Sequence, residues 1–259
     1  MRDDSRPEQA AGGKRKKKKK GGALFWIIVV ILLGVIIYSG SQVGKILWEY
    51  YQGTQQYKEV AETAEIKEKG DDLSVNWRKL MAKYDNVKGW LYSKGTVINY
   101  PIVQGEDNSF YLYHMINGEY NGKGSLFLDY QCEQPFHQFL SVIYGHRMKD
   151  GSMFHSLIEY REHAYYEKHP KMLLVTPDES FDVLVFAAVT IPSDSVMYNM
   201  WFEDEAALQA YLDWIRDHTE LVTDVDVTIQ DRIVMMSTCT YEFDEARLVV
   251  YGKLVKRKQ

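Results

Sequence analysis

One stretch constrains this chain before any other. Ala23–Tyr38, ALFWIIVVILLGVIIY, runs for sixteen residues without a charge, and its neighbours extend the uncharged segment to Gly21–Val43. About 20 apolar residues, rising about 1.5 Å each, cross the hydrocarbon core of a bilayer. A single membrane helix over 23–43 is therefore expected. Seven consecutive basic residues, Lys14–Lys20, precede it, and such flanks stay cytoplasmic. The expected arrangement is a basic cytoplasmic tail over 1–22, a single-pass anchor in the cell membrane, and an extracellular remainder. A cleaved signal peptide is the rival reading. The run is long for one, and no clear A-x-A site follows, which favours an uncleaved anchor.

The charge balance supports the split. Residues 1–20 carry nine Lys/Arg against three Asp/Glu, and subtracting that +6 from the chain's −5 leaves −11 for the rest. A domain that acidic lacks the basic footprint of a nucleic-acid binder. The segment 44–70 is mostly polar and helix-favouring, as expected of a juxtamembrane stalk. Asp71 and Asp72 are candidate N-caps for a helix whose apolar face is Leu73, Trp77, Leu80, Met81 and Tyr84, so the folded domain is expected to occupy 71–259. About 190 residues suit one domain with a proper core.

Beyond that helix the pattern turns to short runs rich in Val, Ile, Leu, Phe and Tyr. They are Val97–Val103, Ser125–Leu128, Phe139–Tyr144, Met172–Val175, Phe181–Ile191, Ile233–Ser237 and Leu248–Leu254. Most are bounded by polar or Gly/Pro/Asp-containing turns. One helix interrupts them, Glu203–His218, with Leu208, Tyr211, Leu212 and Ile215 on one face. The expected fold class is mainly β: a mostly antiparallel barrel or sandwich with an N-terminal helix and helical insertions.

Three residues at strand ends form a candidate chemical site. His146 closes the apolar run Val142–Tyr144, Cys239 closes Met235–Ser237, and Arg247 opens Leu248–Leu254. A thiolate is the nucleophilic form of cysteine, and a neighbouring imidazolium or guanidinium stabilises it. Histidine can protonate a leaving amine and deprotonate an incoming one. Arginine offers permanently charged donors for an oxyanion or a substrate carbonyl. Convergence of the three would make a minimal acyl-transfer site. The competing expectation is structural. Cys132 and Cys239 are the only two cysteines, and outside the membrane they could form a disulfide that removes the nucleophile. The seven histidines include no H-x-x-x-H or H-x-H pair, and the acidic residues form no calcium-type loop. No metal or cofactor is expected.

The wording around these residues is more specific than their spacing. Met235-Met236-Ser237-Thr238-Cys239, followed by Arg247-x-Val-Val-x-Gly-x-Leu254, resembles the sortase signature T-L-x-T-C, with Met235 and Met236 departing from its first two positions. Tyr144-Gly145-His146-x-Met148-x-x-Gly151-Ser152-Met153-Phe154 resembles the histidine motif of class B sortases, which commonly has Asn where this chain has Arg147. Asn99–Leu112 and His169-Pro170 resemble the same class, and the likeness extends from Leu73 to Leu254.

This resemblance implies a sortase-type closed β barrel and a cysteine transpeptidase. Cys239 would attack the carbonyl of a threonine in a C-terminal sorting signal. A thioacyl-enzyme would form, and a cell-wall amine would resolve it. By the same resemblance His146 is the acid and base, Arg247 holds the signal or the oxyanion, and Asn108, Leu112, Tyr144, Tyr198, Ser237 and Thr238 bind the signal. The implied partners are a surface protein with an Asn-Pro-x-Thr-like signal, a cell-wall precursor amine and the membrane. The eight-residue step from Cys239 to Arg247, the insertion before Asp231 and the lack of a membrane segment after Leu254 favour class B over classes A and C. The rivals are a membrane-anchored cysteine peptidase, a pilin-linking sortase and a tethered non-enzymatic binder.

Overall fold

The computed structural model describes residues 22–258. The tail expected over 1–22 lies outside them, apart from Gly22. The first element, α1 (Gly22–Thr63), is a 42-residue helix. Its N-terminal half is long and apolar enough to cross a membrane, and the most apolar window is wholly unburied.

The chain divides into two compact units, one ending at Leu47 and the other beginning at Trp48. The second unit corrects the boundary expected at residue 71. The end of α1 belongs to it: Val60 and Ala64 are fully buried. Tyr57 Oη donates to the carbonyl of Gly124 at 2.6 Å. Glu49 accepts the amide of Gly122 at 2.5 Å. The supposed stalk is thus, from residue 48, part of the folded domain.

A short hairpin follows, β1 (Lys67–Lys69) and β2 (Asp72–Ser74), and then α2 (Trp77–Lys83). Asn76, not Asp71 or Asp72, caps α2, its side chain accepting from Lys79 N at 3.2 Å. Leu73 therefore sits in a strand rather than on the helix, although it is buried as expected.

Eight strands close into a barrel: β3 (Val87–Tyr92), β4 (Asn99–Gln104), β5 (Leu126–Leu128), β6 (Leu140–Tyr144), β7 (Lys171–Val175), β8 (Ser180–Pro192), β9 (Arg232–Cys239) and β10 (Ala246–Lys256). Their order round the barrel is β10-β8-β7-β3-β4-β5-β6-β9, with β9 returning to β10. Pairing is antiparallel except for β4–β5 and β6–β9, which are parallel. Closure leaves no open edge within this ring. Strand alternation separates two apolar clusters. Leu91, Ile102, Leu126, Leu128 and Leu174 face one. Trp90, Tyr92, Val103, Phe127 and Val175 face the other, where the end of α1 and Leu80 of α2 cover them.

Two further helices decorate the barrel, α3 (His163–Lys168) and α4 (Glu205–His218). Asp204 caps α4, accepting from Ala207 N at 2.8 Å, and Tyr211, Leu212 and Ile215 are buried as the periodicity predicts.

Candidate active site

Barrel register brings the three candidate residues to one level. In the antiparallel pair β9–β10, Cys239 lies directly opposite Arg247. Side chains of such partners point to the same face of the sheet and lie about 4.5–5.5 Å apart at Cβ. In the parallel pair β6–β9, Tyr144 lies opposite Ser237, and Gly145 N donates to Ser237 O at 3.1 Å. His146 is two residues past Tyr144, and Cys239 is two past Ser237. The parallel pairing therefore carries histidine and cysteine to the same rim.

Two glycines make room for this arrangement. A Cβ on Gly145 would stand 2.4 Å from Leu126 Cδ2 and 2.6 Å from Phe154 Cδ2, so the chain can pass into His146 only without a side chain there. Gly124 has φ of +58°, and a Cβ there would lie 2.5 Å from the carbonyl oxygens of Tyr111 and Leu112. That close approach fixes the turn whose Leu112 carbonyl accepts a hydrogen bond from His146 Nε2 at 2.7 Å. A carbonyl cannot donate, so Nε2 carries the proton and Nδ1 is the nitrogen free for proton transfer.

Burial, with a smaller contribution from the Arg247 charge, holds the His146 pKa below its ordinary 6.5. The unfolded chain therefore binds a proton near pH 6.5 that the native imidazole refuses. Stability from this group is complete above pH 6.5 and falls as pH drops from there towards the lower native value. His146→Gln is expected to flatten the dependence of Tm on pH across that window, as read by thermal denaturation. An unchanged slope would place the imidazole in water.

Cys239 is partly exposed and its thiol is free. Cys132 is free too, which removes the disulfide alternative. It is buried in the main core, its sulfur 3.6 Å from Ser141 Oγ, and burial pushes its thiol pKa up to about 11. Such a thiol stays protonated and inert.

Arg247 Nη1 donates to its neighbour's carbonyl, Ala246 O, at 3.0 Å, and Nη2 pairs with Glu245 at 2.8 Å. Glu245 is largely exposed, so an incoming carbonyl can displace it from the guanidinium.

A cleft of about 70 Å³ is lined by Leu112, Tyr144, Gly145, His146, Ser237, Thr238, Cys239 and Arg247. Four of the six residues expected to bind a signal are thus at the wall. Thr238 is buried with its hydroxyl unpartnered among the described residues. Tyr198, from the loop between β8 and α4, stacks on Tyr144 with ring centroids 5.8 Å apart, and its hydroxyl meets Ser237 Oγ at 2.8 Å.

Asn108 stands apart. Its amide donates to Asp129 at 2.8 Å and its oxygen accepts from Tyr130 N at 3.0 Å. Asp129 in turn accepts from Tyr144 Oη at 2.9 Å. Asn108 therefore reaches Tyr144 only through Asp129 and does not line the cleft. No local motif singles out Asp129, nor a second support. Arg161 pairs with Glu242 and donates to Thr190 Oγ1 at 2.9 Å, tying down the loop between Cys239 and Arg247. Hydrogen bonding from Arg161 holds the Glu242 pKa at about 2.

Comparison with known proteins places this geometry in context. A sortase-domain family model matches residues 94–255. Sortase B of Listeria monocytogenes is 32% identical over 235 residues, covering 87% of this chain and 94% of its own. Sortase B of Bacillus anthracis, solved in complex with AAEK1, superposes with a TM-score of 0.72 at 32% identity, covering 82% of this chain and all of that one. The Staphylococcus aureus sortase B–substrate complex superposes at 0.73 with 26% identity over the same share of this chain and all of its own.

Proposed function

The chain belongs to the class B sortase family, and on that premise we propose that Cys239 is the nucleophile, His146 the general acid and base, and Arg247 the oxyanion or signal-holding group. As a sortase it is a cysteine transpeptidase acting on a sorting signal and an amine. The observation that carries the residue assignment is register: Cys239 opposite Arg247, with His146 brought alongside by the parallel pairing of β6 to β9.

The chemistry follows from the donors. The Cys239 thiol gives its proton to His146 Nδ1 as its sulfur attacks the threonine carbonyl of the signal, forming the C–S bond. Negative charge develops on the carbonyl oxygen, to which the Arg247 guanidinium can donate once Glu245 is displaced. The tetrahedral species collapses to a thioester as His146 Nδ1 gives its proton to the departing amine. An incoming amine then loses a proton to Nδ1, the C–N bond forms, and the thiolate leaves. The lowered His146 pKa keeps the imidazole mostly neutral near pH 7, ready for this second half-reaction.

The signal backbone lies in the cleft over Leu112, Tyr144, Ser237 and Thr238, with Tyr198 at its edge. The preferred signal is of the Asn-Pro-x-Thr type. The acceptor is a cell-wall precursor amine, and a sortase B solved in complex with triglycine supports an amine ligand of this size. The apolar half of α1 anchors the enzyme as a single membrane span with the N-terminus cytoplasmic and the catalytic domain outside.

Product analysis tests the transferase reading against a peptidase. With an amine present, the N-terminal part of the signal peptide is expected to end in a new amide to that amine; Cys239→Ala should release nothing. Hydrolysed product alone, at every amine concentration, would make the chain a peptidase.

A further inference from the structure

Beside the signal cleft stands a cation that the steps above do not use. Arg147 directly follows His146, and its backbone is fixed by a bridge to Met153 and by Phe154 N donating to His146 O at 2.9 Å. Its guanidinium carbon lies 5.2 Å from the ring centroid of Tyr241, two residues beyond Cys239. The histidine loop and the cysteine loop thus meet through this stack, outside the residues that line the signal cleft.

Among the described residues Arg147 makes no ion pair and no side-chain hydrogen bond. Three carboxylates on the same two loops have other partners. Asp150 is 2.7 Å from Lys123 Nζ, Glu242 is paired with Arg161 and Glu245 with Arg247. Asp244, in the same loop as Tyr241, makes no ion pair with it. Stacking occupies one face of a guanidinium and leaves its N–H groups free around the edge, the geometry that receives a carboxylate bidentately. Tyr241 is 73% exposed and Arg147 is half-buried, so the pair stands at the surface.

We infer that Arg147, held on Tyr241, binds a carboxylate carried by the amine acceptor, making this enzyme selective for acceptors that are amino acids or peptides with a free acid group. The inference rests on the transpeptidase reading. His146 must reach the nitrogen that enters, so the acceptor occupies the His146 side of the thioester, where Arg147 stands. The step stays balanced: the neutral amine attacks the thioester carbon, the C–N bond forms as the C–S bond breaks, the electron pair returns to Cys239 sulfur, and the amine proton goes to His146 Nδ1. Arg147 changes no bond; it holds the acceptor's anion.

The test uses the full chain in detergent micelles with an Asn-Pro-x-Thr donor peptide, and diglycine against diglycinamide, whose amines are closely matched. The native enzyme should prefer diglycine by about tenfold in kcat/KM, as one charge-assisted contact allows. Arg147→Gln should bring the ratio near one, and Tyr241→Leu should lower it. Accumulation of the thioacyl species, read by intact mass, reports in each variant that the site is still assembled. No preference in the native enzyme, or a preference kept in Arg147→Gln, would overturn the inference. So would an effect of Arg147→Gln confined to the leaving peptide, read as a changed acylation ratio between donors with Asp and with Asn after the cleaved bond. If the native enzyme forms no thioacyl species, the transpeptidase assignment fails and the inference falls with it.

Discussion

A protein that begins at residue 71 is expected to melt roughly 10 °C below one that begins at residue 48. The shorter form loses Val60 and Ala64, which cover Leu80, Tyr84 and Trp90 in the outer apolar cluster. Burial of one valine side chain is worth about 1.5–3 kcal/mol. It also loses Tyr57 Oη on Gly124 O and Glu49 on Gly122 N, at about 1 kcal/mol or more each. Lys123 loses Thr54 and the Tyr50 ring, although it keeps Asp150. These losses come to about 4 kcal/mol, and a domain of this size shifts by about 2–4 °C per kcal/mol. The damage is directional as well. The loop that α1 supports includes Gly124 and abuts the Leu112 carbonyl that holds His146. Thermal denaturation of the two truncations decides the matter; equal melting points would return residues 48–70 to the role of a stalk.

Arg247→Lys is expected to lower kcat by about 10²–10³-fold, the usual consequence of removing an oxyanion donor. The substitution keeps the positive charge, so the loss isolates the planar fork, which an ammonium cannot reproduce. The arginine's contacts in the structure are to Ala246 O and to the exposed Glu245, neither of which braces the core, so Tm should change little. Stopped-assay kinetics with the sorting peptide would read this directly. Near-native turnover would take Arg247 out of the mechanism.

How much of this is legible in the chain depends on how local the signal is. β7, β8, β9 and β10 lie close to where their apolar runs predict them, and α4 is capped one residue from its expected start. β3 escapes notice because Lys88 and Gly89 interrupt its apolar run, yet Trp90 and Leu91 are among the most buried residues of the fold. The parallel pairs β4–β5 and β6–β9 join segments far apart in sequence, and no local pattern encodes them. Asp71 and Asp72 resemble helix caps because capping chemistry alone cannot tell a helix start from a turn. The segment before them reads as a stalk for an identifiable reason. Gly53, Tyr57, Val60 and Ala64 follow one another at helical spacing, a narrow stripe within a polar segment.

The site is more legible than the fold around it. Cys239, His146 and Arg247 carry their neighbours' wording with them, and strand register then brings them together. Asp129, Arg161 and Glu242 are not legible, because each acts through a contact with a residue at least 15 positions away. Asn108 carries the right wording but serves Asp129 and Tyr144.

The most direct measurement is a single-turnover reaction of residues 48–259 with Asn-Pro-x-Thr and Leu-Pro-x-Thr peptides, weighed intact by mass spectrometry. The account predicts a mass increase equal to the N-terminal part of one peptide, located on Cys239, absent from Cys239→Ala and cleared by an added amine. No adduct while the Cys239 thiol is free, or an adduct that persists in Cys239→Ala, would contradict it.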